Sequence, residues 1–268
     1  MPSPQSHTLE EHRDYLYNIV KLMLFYVHFH LENHPEETFQ YVIRERVDIY
    51  RKTDANPGPL TPGELFFDEK PWLDMENAAF EIYQKCRNDR AAFEKEAFEV
   101  FRKSIDDRCE RDYYDCSPQN RYQCGSLRYD IPAEGCDTVT FHIGNAKAPD
   151  SIFTDPRYLP ECFFKLLDVA ENILKAKYIR TGSWLNGNKH WLKYFPQEWL
   201  DNMQPENTNV KWHYGFWGQF ISARHTFNAK YGNILRETGK MPFYPRVGKC
   251  SIAAMRKHLE KYLQNLSD

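Results

Sequence analysis

The chain has no excess of charge of either sign. Lys and Arg number 35 against 38 Asp and Glu, a net charge of −3, and this excludes a generally basic nucleic-acid binder. A long apolar run is also missing. The longest, Tyr15 to Leu31, is interrupted by Asn18, Lys21, His28 and His30, so it is too short and too polar to span a bilayer. The opening stretch MPSPQSHTLEEHRD holds no apolar segment of the kind a secretory signal requires. The expectation is a soluble protein in the cytoplasm, with no membrane and no nucleic acid among its partners.

Paired cysteines are absent as well. None of the seven stands in a CxxC pair, the arrangement by which one tight turn presents two sulfurs to a zinc ion. An odd number of cysteines without a signal segment reads as reduced thiols. The chain contains no GxGxxG, GxxxxGK[ST], GxSxG or DxDxDG, so a dinucleotide-binding domain, a P-loop NTPase and an α/β-hydrolase have no support. No internal repeat or low-complexity tract occurs.

Helical periodicity, in contrast, is plentiful in the first part. Leu16, Ile19, Val20, Met23, Val27 and Leu31 recur at threes and fours, which predicts a helix from Leu9 to Leu31. A second helix is expected from Pro35 to Lys52, with Phe39, Ile43, Val47 and Tyr50 on one stripe. Pro-rich Asp54–Pro62 reads as a loop, and Pro71 opens a helical stretch to Asp107, broken near Asn88-Asp89. Beyond Tyr113 the character changes. Leu127–Ile131, Val139–Ile143 and Tyr178–Trp184 have strand composition, and Trp212–Trp217 reads as a further strand or strand end. Helices are expected at Leu159–Leu174, after Pro196, at Phe220–Tyr231 and at Ile252–Leu266. The fold class is α+β: a helical region over 1–113, then an α/β region with a small mixed sheet over 114–268.

Aromatic residues make up 15% of the chain. Five of the six tryptophans lie between Trp184 and Trp217, interleaved with polar side chains. Tryptophan joins a large apolar body to a polar tip and suits the wall of a ligand pocket. On this basis Trp184, Trp191 and Trp217 are read as pocket walls, with Asn145, Ser183, Asn186 and Gln219 orienting polar atoms of a substrate. His142 and His213 sit at strand-like segments, where a rigid backbone fixes the ring, and are read as acid–base groups. With His225 they form the candidate ligands of an iron or zinc ion. Arg236, in a segment shaped by Gly239 and Pro242, is read as the holder of an anionic group. Cys250, ahead of the last helix, is a weaker nucleophile candidate, and His28 with Glu32 could share a helix face.

The order strand Phe141-His142-Ile143, helix Pro160–Leu174, strand Ser183-Trp184-Leu185, then Phe195-Pro196 resembles the layout of the GNAT-like C-terminal domain found with some bacterial acyltransferases, which also follows a helical domain. The resemblance covers less than a third of the chain and implies acyl-CoA as cofactor. Where that family carries a Gly-rich pyrophosphate loop, this chain has Gly144-Asn145-Ala146-Lys147-Ala148-Pro149. The leading reading is an enzyme acting on a small anionic molecule in an aromatic-lined pocket. The alternatives are an acyl-CoA-dependent acyltransferase and a non-catalytic binding or scaffold protein.

Overall fold

The computed structural model describes residues 6–58, 65–115 and 122–266. The chain folds as α+β, in two compact units. One holds the residues up to Asp115 together with Val210–Pro242; the other holds 116–209 and 243–268. A single division at 113/114 does not describe this arrangement, because Val210–Pro242 returns to the helical unit. Several contacts bind it there. The Trp217 indole N–H donates to the Arg46 carbonyl at 2.9 Å, Arg46 Nη1 donates to the Val210 carbonyl at 2.9 Å, and Arg236 pairs with Glu94.

Helix α1, Leu9–Asn33, is the axis of the helical unit. Thr8 and Glu11 close a capping box at its start: Thr8 Oγ1 accepts the Glu11 N–H at 3.1 Å, and Glu11 Oε2 accepts the Thr8 N–H at 2.7 Å. The expected stripe is buried, but so are Leu22, Leu24, Phe25 and Tyr26, so α1 is enclosed on nearly every side rather than on one face. After it comes α2, Phe39–Tyr41, which runs into a π-helical turn at Val42–Arg46. The long second helix expected from Pro35 does not form. Val42, Ile43, Val47, Ile49 and Tyr50 are all buried, which leaves no solvent face for a helix to present. Val47 is extended, and a 3-10 turn, Tyr50–Lys52, follows. Helices α3, Lys70–Lys85, and α4, Arg90–Tyr114, are separated at the expected break, where Asp89 caps α4 by accepting the Ala92 N–H at 2.9 Å. Part of the expected loop, residues 59–62, lies outside the described residues.

Trp212–Trp217 is not a strand. It forms 3-10 turns at Trp212–Tyr214 and Phe216–Phe220, joined at Gly215 with φ +79°. Nor does the helix expected over Phe220–Tyr231 form before Ala229. Ile221 bridges to Phe227, and Ser222 and Thr226 link their hydroxyls at 2.8 Å across the turn between them. Short polar side chains that bond locally compete with helix in this way. The later helix α8, Ala229–Thr238, starts only after Asn228 caps it.

The second unit is a four-stranded sheet with strands in sequential order. β1, Leu127–Tyr129, is antiparallel to β2, Thr138–Ile143. β3, Tyr178–Ser183, is parallel to β2 and reached through helix α5, Tyr158–Asn172, the kind of crossover that parallel neighbours require. β4, Arg246–Ser251, is antiparallel to β3. The short helices α6, Lys189–Leu192, and α7, Gln197–Asp201, stand between β3 and β4, and α9, Ile252–Gln264, closes the chain. Val139, Phe141, Ile179 and Cys250 face a core shared with Phe163, Trp191, Trp199 and Met255. Phe195 packs 4.2 Å from Trp199 between ring centroids.

β4 carries no strand signature in the sequence, since Arg246, Gly248 and Lys249 interrupt it. The core places Trp199 against it: a Cβ at residue 248 would stand 2.1 Å from the indole ring. Gly248→Ala is expected to lower stability by about 1–3 kcal/mol through overpacking, read as a shift of the urea midpoint at unchanged slope. An unshifted midpoint would mean that Trp199 moves freely and does not hold β4.

Candidate functional site

Seven of the residues singled out in the C-terminal part of the sequence lie in the sheet unit. His142 projects from β2, with its side chain 43% exposed, and its Nε2 is 2.7 Å from Asp130 Oδ2. Asn145 braces its own loop, donating to the Asp150 carbonyl and accepting from Lys147 N–H. Ser183 caps the 3-10 turn Trp184–Gly187. Asn186 is fully buried and satisfied three times: Nδ2 donates to the Thr181 and Arg246 carbonyls at 3.1 and 2.7 Å, and Oδ1 accepts the Trp191 indole N–H at 3.0 Å. Trp191 is fully buried in the core, where a pocket wall was expected. Trp184 is half-buried and leans on Phe243. Cys250 is buried as well, and that burial pushes its thiol far up, the reverse of an activated nucleophile.

The other five lie in the helical unit. Trp217 and Gln219 are buried, with the Gln219 amide donating to the Phe216 carbonyl at 2.9 Å. His213 is exposed and packs edge-on against Tyr214. Arg236, expected to grip an anion, is committed to Glu94 through two bonds of 2.6 and 2.8 Å, with its guanidinium over the Phe25 ring. His225 is different. It occupies the left-handed region at φ +61°, a conformation uncommon outside glycine, and its ring meets His7 edge-on at 5.9 Å.

That contact leads to a group of titratable side chains joined in a chain that links two imidazoles to a carboxylate. His7 Nε2 lies 3.1 Å from His12 Nδ1, and His12 Nε2 lies 3.0 Å from Asp112 Oδ2. His7 Nδ1 faces Ser6 Oγ at 3.3 Å, and that hydroxyl also donates to the Arg224 carbonyl at 3.1 Å. The Tyr113 hydroxyl donates to the His7 carbonyl at 3.0 Å, and its ring packs on both histidines. The first turns of α1 set His12, the last turn of α4 sets Asp112 and Tyr113, and the turn from Ser222 to Thr226 sets His225.

The carboxylate fixes the direction of the chain. Burial works to raise the Asp112 pKa, but the bond from His12 and the nearby Lys52 and Arg108 overcome it and hold the group down to about 2. An ionised Asp112 accepts, so His12 donates from Nε2 and keeps a bare Nδ1. His7 then donates from Nε2, and its own Nδ1 is a free base. Burial first, and then the neighbouring His12 and His225, lower the His7 pKa to about 4. Burial, with His12 beside it, lowers that of His225 too. His7 is thus neutral near pH 7, with its Nδ1 lone pair, against Ser6 Oγ, at one end of a path to a carboxylate.

No sequence signal joins Asp112 to His7, for a hundred residues separate it from His12. Neither His7 nor His12 was singled out in the sequence; the signal that could have marked them is the Thr8-x-x-Glu11 capping pattern that they flank. The iron or zinc expectation finds no donor set, because among the described residues no group of three or more His, Cys, Asp or Glu is placed to hold a metal ion. No helix of the described residues is long and apolar enough to cross a membrane.

The lowered pKa of His7 carries a stability signature. The unfolded chain takes up this proton near pH 6.5 and the folded chain only near 4, so stability falls as pH drops through that window. The loss attributable to His7 is about 2–3 kcal/mol between pH 7 and 4. His225 and His30, whose pKa values burial also lowers, act in the same sense. Urea unfolding at pH 7, 6, 5 and 4 checks this. His7→Gln should flatten the dependence, and an unchanged slope would show His7 to be solvated.

No family model, no curated protein and no solved structure matches the chain, so the GNAT-like layout gains no support from known folds.

Proposed function

We propose that the helical unit is the catalytic part of an enzyme that uses general acid–base chemistry on a small molecule, with His7 as the base. The observation that carries this reading is the continuous hydrogen-bonded path from His7 through His12 to Asp112. A neutral imidazole with a pKa near 4 is a weak base alone. Coupled to His12, it can take a proton at Nδ1 while passing its Nε2 proton to His12 Nδ1. The positive charge then comes to rest beside Asp112. Such relays place a proton acceptor and its counter-charge in fixed geometry, which is worth about 10²–10⁴ in rate. Ser6 Oγ marks where a substrate hydroxyl or water would meet the base. The edge of His225 borders the same place.

The reading is tested by incubating the protein with a fractionated small-molecule extract and following consumption by mass spectrometry, then repeating with His7→Gln and Asp112→Asn. Turnover of at least one compound is expected, falling at least 10²-fold in both variants, with the wild-type rate dropping as pH falls through about 4 because the base must be unprotonated. Turnover that survives both substitutions overturns the assignment of His7. If nothing is consumed by the folded wild type, acid–base catalysis is overturned and the binding or scaffold reading takes its place.

A further inference from the structure

Helix α1 carries a second feature at its other end. A cleft of about 520 Å³, open on one side, lies between the end of α1, the start of α2 and the last turns of α3. Its size is that of a small-molecule site. His12 and Glu32 are twenty residues apart on a straight helix, so the cleft lies about 30 Å from the histidine chain. One small ligand does not reach both.

The floor is apolar and largely aromatic: Leu31, Phe39, Phe80 and the ring of Tyr83. Tyr83 is only 8% exposed, and its hydroxyl has no hydrogen-bond partner among the described residues. The oxygen itself is not enclosed, so it can meet a ligand in the cleft that Tyr83 lines. The charges around the cleft are unequal in availability. Glu32 is neutralised by Arg90 and lies 3.3 Å from His28 Nδ1. Glu37 is held by Arg46 and by His30 at 3.0 Å, and its pKa stays low despite burial because of them. Both acids are thus committed to cations that do not line the cleft. Arg87, the cation that does line it, is exposed and makes no ion pair among the described residues.

We infer that this cleft binds a small carboxylate with a flat apolar body, such as an aryl-alkanoate. Arg87 takes the carboxylate through its planar fork, the Tyr83 hydroxyl donates to the same group, and Phe39 and Phe80 cover the apolar part. The inference is independent of the histidine chain and stands or falls without it.

Phenylacetate and its neutral amide are the probes, read by saturation-transfer NMR and calorimetry on the full chain. Phenylacetate should bind with a dissociation constant in the millimolar range or tighter. Phenylacetamide should bind at least tenfold more weakly. Arg87→Ala, on an exposed side chain that the fold does not need, should cost at least tenfold in phenylacetate affinity. Tyr83→Phe should cost severalfold, whereas His7→Gln should leave affinity unchanged. The inference is overturned if phenylacetate does not bind, if acid and amide bind equally, or if Arg87→Ala has no effect.

Discussion

A helix enclosed on nearly every side needs partners from other elements for the imidazoles it buries, and this constraint on α1 organises the helical unit. His12, His28 and His30 are all buried, and an unpaired buried imidazole is costly. Each has accordingly drawn a partner from a distant element or the following turn: Asp112 from α4, the Cys86 carbonyl from the end of α3, and Glu37 from the turn beyond α1. Tyr17 adds Asp106 at 2.5 Å. The polar pairs around α1 therefore also specify how α3, α4 and the Pro35–Arg46 segment pack on it. The candidate catalytic chain is one member of this set, set apart by its extension through a second imidazole, whose far nitrogen meets Ser6 Oγ.

The sheet unit shows the opposite economy. Its tryptophans and amides, concentrated in one stretch of sequence, are spent on the core and on tying β3 to β4. Asn186 is the clearest case: all three of its bonds join segments of the sheet unit, and none is left for a ligand. Residues suited to recognition in kind are here structural in use, because burial and saturation decide what a side chain can offer. Arg236 makes the same point in the helical unit, where both arms of its fork end on Glu94.

Legibility in the sequence followed the range of the interactions. α1, α3, α4, α5 and α9 were readable because apolar spacing and caps are local, and the break at Asn88-Asp89 was readable for the same reason. β4 was not, since its place depends on Trp199 closing over Gly248. The stretch Trp212–Tyr231 misled because its aromatics suggest strand and helix, whereas local bonds of Ser222, Thr226 and Asn228 impose turns. The site itself was half visible. His225 was noticed, but His7 and His12 were passed over, and the carboxylate that gives them direction lies at the far end of another helix.

The clamp at Asn186 has a bearing on how the protein ages. Asn186 precedes Gly187, and an asparagine before glycine is the dipeptide most open to attack by the following backbone nitrogen, which turns the amide into a carboxylate. In the folded chain the amide is buried and bonded on three sides, and the 3-10 turn around it restrains the approach that reaction needs. Only unfolded excursions expose it. Once converted, the side chain would set an acceptor against the Thr181 and Arg246 carbonyls, where two donors now hold β3 to β4. The sheet unit is thus built so that each unfolding event carries a small chance of becoming permanent, and its chemical lifetime is tied to its folding stability.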